Sequence, residues 1–442
     1  MPGMTIASSP SATEPDRFTA FAWILLDWAA SAFSTVLITL IVAYFEKVVF
    51  AGRPWGMAAG VVWSWTLAAA MLASALVAPG LSAWADRRGR HQAALVGSVI
   101  VGAAALLALA AAPPAARVVV LAAVALSNVG FDMAAIFTGS LLAKITTGRG
   151  ADRLSAFGFA AGYAGGAVAL VVATAIAMAH DVLGLSPAGG LRAAFGFTAA
   201  WWLCFSLPAA CARFPAAAGA ATDEAHAASS VAELTAFGRS LLDSAHGNGR
   251  HLAAVLGGSM LILGAVQTAI AQFSSVAIEE FDLEPAALVR LVLLVQAVAL
   301  PGALAVGWLS ERVGRRITLG LTLAGWIAVL VLAWFVDSVP QLFALAVLLA
   351  VVLGGVQSVI RATVAEAAPG GRAGVTFGLL QVGTKLAGAA AGLTFGSLYL
   401  ATDQPRAGLS ALLVQLLAGW WLLRRMDGSR PRQSSPSTSR IE

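Results

Sequence analysis

The chain has 442 residues, 59% of them hydrophobic and 11% charged, with a mean hydropathy of +0.84. A soluble domain is about 45–50% apolar and about 25% charged, so lipid must be the solvent for most of these side chains. The net charge of +5 does not indicate a nucleic-acid partner, because the basic residues are spread over short loops and a tail instead of along one face.

In chain order, residues 1–19 form an N-terminal tail whose first 17 residues are polar and end in Glu14-Pro15-Asp16-Arg17, and the apolar run that follows is too long for a signal-peptide core. A spanning helix needs about 20 mostly apolar residues. That ruler predicts spans near 20–45, 57–83, 93–112, 117–143, 155–179 and 193–212, an N-terminal six-helix bundle over 20–212. A polar linker over 213–250 follows. Its Ser230-Val231-Ala232-Glu233 has capping-box spacing before Leu234, Phe237, Leu241 and Leu242, which fits either an amphipathic helix on the membrane surface or a connection with one helical turn. Spans near 251–278, 286–309, 317–336, 340–362, 374–399 and 407–423 make a second bundle over 251–424, and 425–442 is a disordered basic tail. Cys204 and Cys211, seven apart in one apolar span, read as packing residues with no disulfide framework.

The basic residues orient these spans. Of 27 lysines and arginines, Lys47, Arg53, Arg117, Arg192, Arg290 and Arg406 fall on one side, and Lys385 falls within a span. The other 20 share the side of the two chain ends, which the positive-inside rule assigns to the cytoplasm.

One loop occurs twice. Ala85-Asp86-Arg87-Arg88-Gly89-Arg90 joins spans 2 and 3, and Gly307-Trp308-Leu309-Ser310-Glu311-Arg312-Val313-Gly314-Arg315-Arg316 joins spans 8 and 9. Asp86 matches Glu311, Arg87 matches Arg312, Gly89 matches Gly314 and Arg90 matches Arg315, all at an offset of 225. A basic turn alone accounts for the arginines but not for an acid and a glycine repeated in register. Self-similarity at half the chain length indicates two parallel six-helix halves. The glycine permits a tight turn, and the carboxylate can cap a helix N-terminus in the other half. A second echo sets Gly158, Gly162 and Gly166 of span 5 beside Gly388, Gly392 and Gly396 of span 11. Small residues at that spacing permit close helix approach, either between sliding halves or as static packing.

The repeated acid–Arg–x–Gly–Arg loop resembles the signature loop of the major facilitator superfamily, with Ser82 where the first copy usually has glycine. A narrower resemblance is to its vacuole-effluxer-like branch, whose eukaryotic members are autophagy-related amino-acid exporters. Asp27-Trp28-Ala29-Ala30-Ser31-Ala32-Phe33 is similar to that branch's opening motif, apart from an asparagine at Ala30. Ser155-Ala156-Phe157-Gly158 with Gly162-Tyr163-Ala164-Gly165-Gly166 is similar to its span-5 motif. Gln357, Arg361, Pro369, Phe377-Gly378 and Lys385 fall at spacings like its spans 10 and 11. The end of span 4 matches in part, at Phe137, Ser140, Leu141 and Leu142. The resemblance implies an all-α membrane fold of twelve transmembrane helices in two pseudo-symmetric bundles. It also implies that spans 1, 4, 7 and 10 line a central cavity, bringing Asp27, Asp132, Gln267, Gln272 and Gln357 there, with Lys385 approaching from the flank.

A charge at the centre of a span costs roughly 2.5–3.5 kcal/mol on insertion scales, so each is a functional candidate. At 1.5 Å per residue, Asp27 lies about 12 Å into span 1 and Lys385 about 16 Å into span 11. Asp27 reads as an ammonium or proton site, or as a clamp on span 1. Trp23 and Trp28 beside it read as interfacial anchors or contacts. Asp132 reads as a proton-coupling acid or as a fixed partner of Lys385. Arg361 belongs with the repeated-loop residues as an inner-gate element. Glu279, Glu280, Asp282 and Glu284 read as a solvated rim, and Pro301 as a kink in span 8. No Walker lysine loop and no His-Glu-x-x-His occurs, and His91, His180, His226, His246 and His251 fall in or near loops. The expectation is a monomeric, inner-membrane secondary transporter that works by alternating access and needs no cofactor or metal. It would use a proton or another coupling ion to move a small polar solute such as an amino acid. The alternatives are a drug or sugar exporter, or a non-transporting receptor or assembly factor on the same fold.

Overall fold

The computed structural model describes residues 16–145, 149–214, 236, 238–240, 248–368 and 373–425. The Ser230–Glu233 capping box and the C-terminal tail lie outside the described residues.

Twelve long helices run through the described residues, with no strand among them. They are α1 (Arg17–Val49), α2 (Ala59–Arg88), α3 (His91–Ala111), α4 (Arg117–Ile145), α5 (Arg149–Met178) and α6 (Pro187–Cys211). The second set is α7 (Asn248–Phe281), α8 (Pro285–Val313), α9 (Arg315–Leu332), α10 (Val339–Ala367), α11 (Ala373–Thr402) and α12 (Pro405–Arg425). Eleven are long and apolar enough to cross a membrane by length and composition. The twelfth, α11, is diluted by glycine, threonine and Lys385. Helix α1 continues past its expected end through two wide π turns, Leu37–Ile41 and Phe45–Val49, so Glu46 and Lys47 belong to the helix.

Burial is arranged for lipid. Leu76, Val118, Leu304, Phe335 and Val414 are each more than 60% exposed, while Ser64, Thr198, Ser274, Thr318 and Thr384 are fully buried. A belt of exposed aliphatic side chains of this extent marks a membrane-facing surface. Cys204 and Cys211 are free and exposed, so they face that belt and do not pack in the interior.

The two halves repeat one another's packing. Helix α1 packs on α5 and α6 as α7 packs on α11 and α12. Helix α3 packs on α4 and α6 as α9 packs on α10 and α12, and α2 packs on α4 as α8 packs on α10. The echo extends to single side chains. Arg192, near the start of α6, donates to the last carbonyls of α3, Ala110 O at 2.7 Å and Ala111 O at 2.6 Å. Arg406, near the start of α12, donates to Trp334 O at 3.0 Å and Val336 O at 2.8 Å, in and just after the short turn Ala333–Phe335 that follows α9. Each satisfies carbonyls that a helix end leaves open and complements the negative end of its dipole. Between the halves, α2 lies against α11 and α5 against α8.

Both copies of the repeated loop turn at a left-handed glycine, Gly89 at φ 60° and Gly314 at φ 86°. Asp86 does not reach the other half. It accepts or shares a hydrogen bond with His91 at 2.7 Å within its own loop, and His91 is buried at the head of α3. In the second copy Arg315 pairs with Glu366 of α10 at 3.2 Å, and Arg312 stacks on Trp308 at 4.0 Å. Glu311 and Arg315 border a cleft of about 370 Å³ with Ser310 and Ser358, inside the second half. Arg87 and Arg90 are exposed.

Candidate functional site: charged groups between the halves

Among the described residues, two charged pairs cross from one half to the other at depths between the two faces of the molecule. The termini face is the one where α1 begins and α12 ends. At 1.5 Å per residue, Asp132 lies about 20 Å from that end of α4 and Lys385 about 18 Å from that end of α11, so both are at mid-depth. Lys385 Nζ donates to Asp132 Oδ1 at 2.6 Å, with the side chains 22% and 12% exposed. The distance is that of a charge-assisted hydrogen bond. Nearer the termini face, Arg361 of α10 lies within electrostatic range of Asp27 on α1. Its guanidinium sits 5.9 Å from the Phe159 ring of α5, and the arginine is exposed although it belongs to a spanning helix. Gln357 lies one turn from Arg361 on α10, hence on the same face.

On its α5 side Asp27 is close-packed. A side chain at Gly158 would strike the Asp27 carboxylate and the Trp23 ring. Trp23 is no interfacial anchor: it is 3% exposed and its Nε1 donates to Thr138 O of α4 at 2.8 Å. Trp28 stacks on Trp201 of α6 at 5.7 Å. On α7, the Oε1 atoms of Gln267 and Gln272 are buried without a hydrogen-bond partner.

The glycine stripes divide by role. Gly158, Gly162 and Gly166 of α5 face Asp27, Ser31 and Thr35 of α1, inside one half. Gly388, Gly392 and Gly396 of α11 face Met71, Ala68 and Trp65 of α2, in the other half. Ser64 Oγ donates to the Gly392 carbonyl at 2.7 Å across that seam.

The face opposite the termini is sealed by ion pairs between halves. Lys47 Nζ lies 2.9 Å from Asp282 Oδ1 and 4.0 Å from Glu284, and Arg53 lies 2.9 Å from Asp403. Arg53, Asp282 and Asp403 have φ of 54°, 46° and 53°, and they are the non-glycine residues with positive φ among the described residues. All three lie in these two ion pairs, so the strained backbone sits where the halves latch. The Lys47 ammonium holds the Asp282 carboxyl below the ordinary aspartate range, and the hydrogen bond to Asp403 pushes the Arg53 guanidinium up.

Two of the acids expected on a solvated rim are drawn inward. Glu280 pairs with Arg406 at 3.0 Å, both side chains about four-fifths buried, and Glu279 Oε1 accepts from Gly60 N at 3.0 Å. Glu46, which the apolar ruler left beyond span 1, is 5% exposed and hydrogen-bonds Ser275 of α7. The apolar Val48, Val49 and Phe50 beyond the expected end at residue 45 are the signal for the longer helix.

The family model for "Vacuole effluxer Atg22 like" proteins matches residues 46–435. A curated relative, the uncharacterized MFS-type transporter YxiO of Bacillus subtilis (strain 168), is 24% identical over 401 residues, covering 90% of this chain and 92% of the relative. The fold is that of the D-xylose-proton symporter, at TM-score 0.67 and 14% identity over 92% of this chain and 97% of that one. It is also that of the nucleoside transporter NupG, at TM-score 0.66 and 13% identity over 93% and 99%. The human organic anion transporter MFSD10 aligns at TM-score 0.61 and 16% identity over 92% and 98%.

Proposed function

The chain belongs to the vacuole effluxer Atg22-like family and has the major facilitator fold, and from that premise we propose that it is a secondary active transporter working by alternating access. The carrying observation is the Lys385–Asp132 pair, an ion pair between halves at mid-depth, where a charge is retained only for a reason. The seams on either side of it differ. Ion pairs seal the face opposite the termini, while toward the termini face Arg361 is exposed between α1, α5 and α10. A solute entering from the termini face meets Asp27, Arg361 and Gln357 first. A carboxylate and a guanidinium within electrostatic range of one another suit a zwitterion, the ammonium on Asp27 and the carboxylate bidentate on Arg361. An amino acid is therefore the substrate class we favour.

Asp132 is the proposed coupling group. Protonation releases Lys385, unlocks α4 from α11 and lets the six-helix bundles, 20–212 and 251–424, rock about the α2–α11 and α5–α8 seams. The repeated loops, with Asp86, Arg87, Arg90, Glu311, Arg312 and Arg315, form the termini-side gate. The excess of 20 basic residues over 6 supports a cytoplasmic termini face in an inner membrane.

The test is thermal-shift screening of the purified protein against amino acids, sugars and cationic drugs, followed by counterflow in proteoliposomes with whatever stabilises it. Counterflow of an amino acid is the expected result. Counterflow of a sugar or drug alone moves the substrate class, and exchange of no solute at all supports a receptor or assembly role.

A further inference from the structure

The latched end of the molecule holds two acids that the central site does not use. Glu46 sits on the π turn Phe45–Val49 of α1, and Glu279 sits on α7. Ser275 and Glu279 are four apart and share a helical face. Ser275 Oγ bonds Glu46 Oε1, and Glu279 Oε1 accepts from Gly60 N of α2. A Cβ added at Gly60 would meet Ser275 Oγ at 2.8 Å, Tyr399 Cε1 of α11 at 3.0 Å and Glu279 Oε1 at 3.5 Å, so one small volume gathers all three. Four helices, two from each half, close around the two carboxyl groups.

The second oxygen of Glu46 is buried and has no hydrogen-bond partner. One turn deeper on the same face of α7, Gln272 is 1% exposed and its Oε1 is likewise without a partner. A buried carboxylate needs its lone pairs satisfied or a cation beside it. The cations nearby are committed elsewhere: Lys47 to Asp282, Arg53 to Asp403, and Arg117 to the Val49 carbonyl at 3.1 Å. Tyr399 is the other titratable group facing the cluster. Lys47 and Arg53 act on the two carboxyl groups only from a distance, and two negative charges with no cation in contact are strongly disfavoured in such a volume, whereas a carboxylic acid becomes a donor and supplies the missing hydrogen bond.

We propose that Glu46 and Glu279 form a proton-binding site in the gate opposite the termini, loaded from the solvent of that side while the gate is open and required for it to shut. The proton adds to a carboxylate oxygen of the pair, and with the pair neutralised α1 and α2 close on α7 and α11. Reopening returns the proton to the same solvent or passes it inward past Gln272. This site deepens the transporter reading by giving the gate its own proton, separate from Asp132.

The test is a distance measurement by pulsed EPR on the full chain in nanodiscs, with Cys204→Ser and Cys211→Ser removed from labelling. Spin labels go on Ala115→Cys, in the loop before α4, and Val339→Cys, at the start of α10. Between pH 5 and 9 the parent should pass from one short distance to a mixture with a longer one as pH rises. Glu46→Gln and Glu279→Gln, permanent stand-ins for the protonated acid, should stay short at every pH. A parent with no pH response, or variants that keep the parent's response, overturns the proposal. If Glu46→Gln does not fold, Glu279→Gln alone decides. The measurement needs no substrate, so a pH response lost in the variants stands even if counterflow finds no transported solute, and the reverse result leaves transport standing without this site.

Discussion

Lys385 Nζ approaches the Asp132 carboxylate to 2.6 Å, and the two residues are the contribution of opposite halves, α11 and α4, at the same depth. The pair is therefore both a latch and a charge-neutral arrangement in a medium that penalises lone charges. Removing one partner strands the other, at roughly 3–5 kcal/mol for a well-buried pair; with 22% and 12% of these side chains exposed, about 3 kcal/mol is the expected loss. Asp132→Asn and Lys385→Met should each lower the thermal unfolding temperature, and the double variant should recover most of it. Proton-gradient-driven uptake should be lost in all three. Full uptake in Asp132→Asn would remove the coupling role, and equal stability of the three variants would remove the pairing.

Arg361 is exposed within a spanning segment, over Phe159 and near Asp27. The side chain reaches open space between the helices instead of the packed interior, so its replacement is expected to act on solute binding more than on stability. Arg361→Gln should leave the unfolding temperature within the spread of surface variants and weaken counterflow on the order of tenfold or more, the effect of losing one charge-assisted contact of about 1.4 kcal/mol. Arg361→Lys should recover part of it, because an ammonium keeps the charge but not the bidentate fork. A large fall in unfolding temperature would make the residue structural.

Helix existence, the repeat and the major facilitator fold were legible because apolar run length and a loop repeated at an offset of 225 are one-dimensional signals. What the sequence hid is two-dimensional. Nothing in the linear order says that Glu46 and Ser275, 229 residues apart, share a hydrogen bond, or that Glu279 turns in to Gly60 while Asp282 stays in solvent. Hydropathy assigned the whole acidic stretch 279–284 to the rim because it averages over faces. The two glycine stripes look alike in sequence, yet the α5 stripe packs on α1 within its half, touching the other half only where Gly166 nears Gln296, and the α11 stripe packs between halves, since only the partner helix decides which.

That difference in partner separates two substitutions of the same kind. Gly162→Leu drives a side chain into Ser31 of α1 inside one bundle, where a Cβ alone already meets Oγ at 2.8 Å. Overpacking of this sort costs typically 1–3 kcal/mol, so the unfolding temperature should fall. Gly392→Leu pushes on Ala68 across the α2–α11 seam, where the halves can part. It should change the distribution of Ala115–Val339 distances more than it changes thermal stability. The same fall in stability for both, with no change in distances, would show the α11 stripe to be static packing.

The latch pairs should respond to acid in a range of their own. The Asp282 carboxyl is held below its ordinary value by Lys47, so the pair's contribution is fully present above the ordinary aspartate pKa of about 3.9 and is lost as pH falls through the lowered value. Between pH 5 and 9 this latch is therefore constant, and any opening of the gate in that window must come from other groups, Glu46 and Glu279 foremost. Asp282→Asn keeps a residue that tolerates the left-handed backbone while removing the charge. It should lengthen the Ala115–Val339 distance by the same amount at pH 6 and pH 8, without altering the slope of the pH response. A slope that disappears in Asp282→Asn would make the exposed pair, and not the buried carboxyl groups, the element of the gate that reads pH.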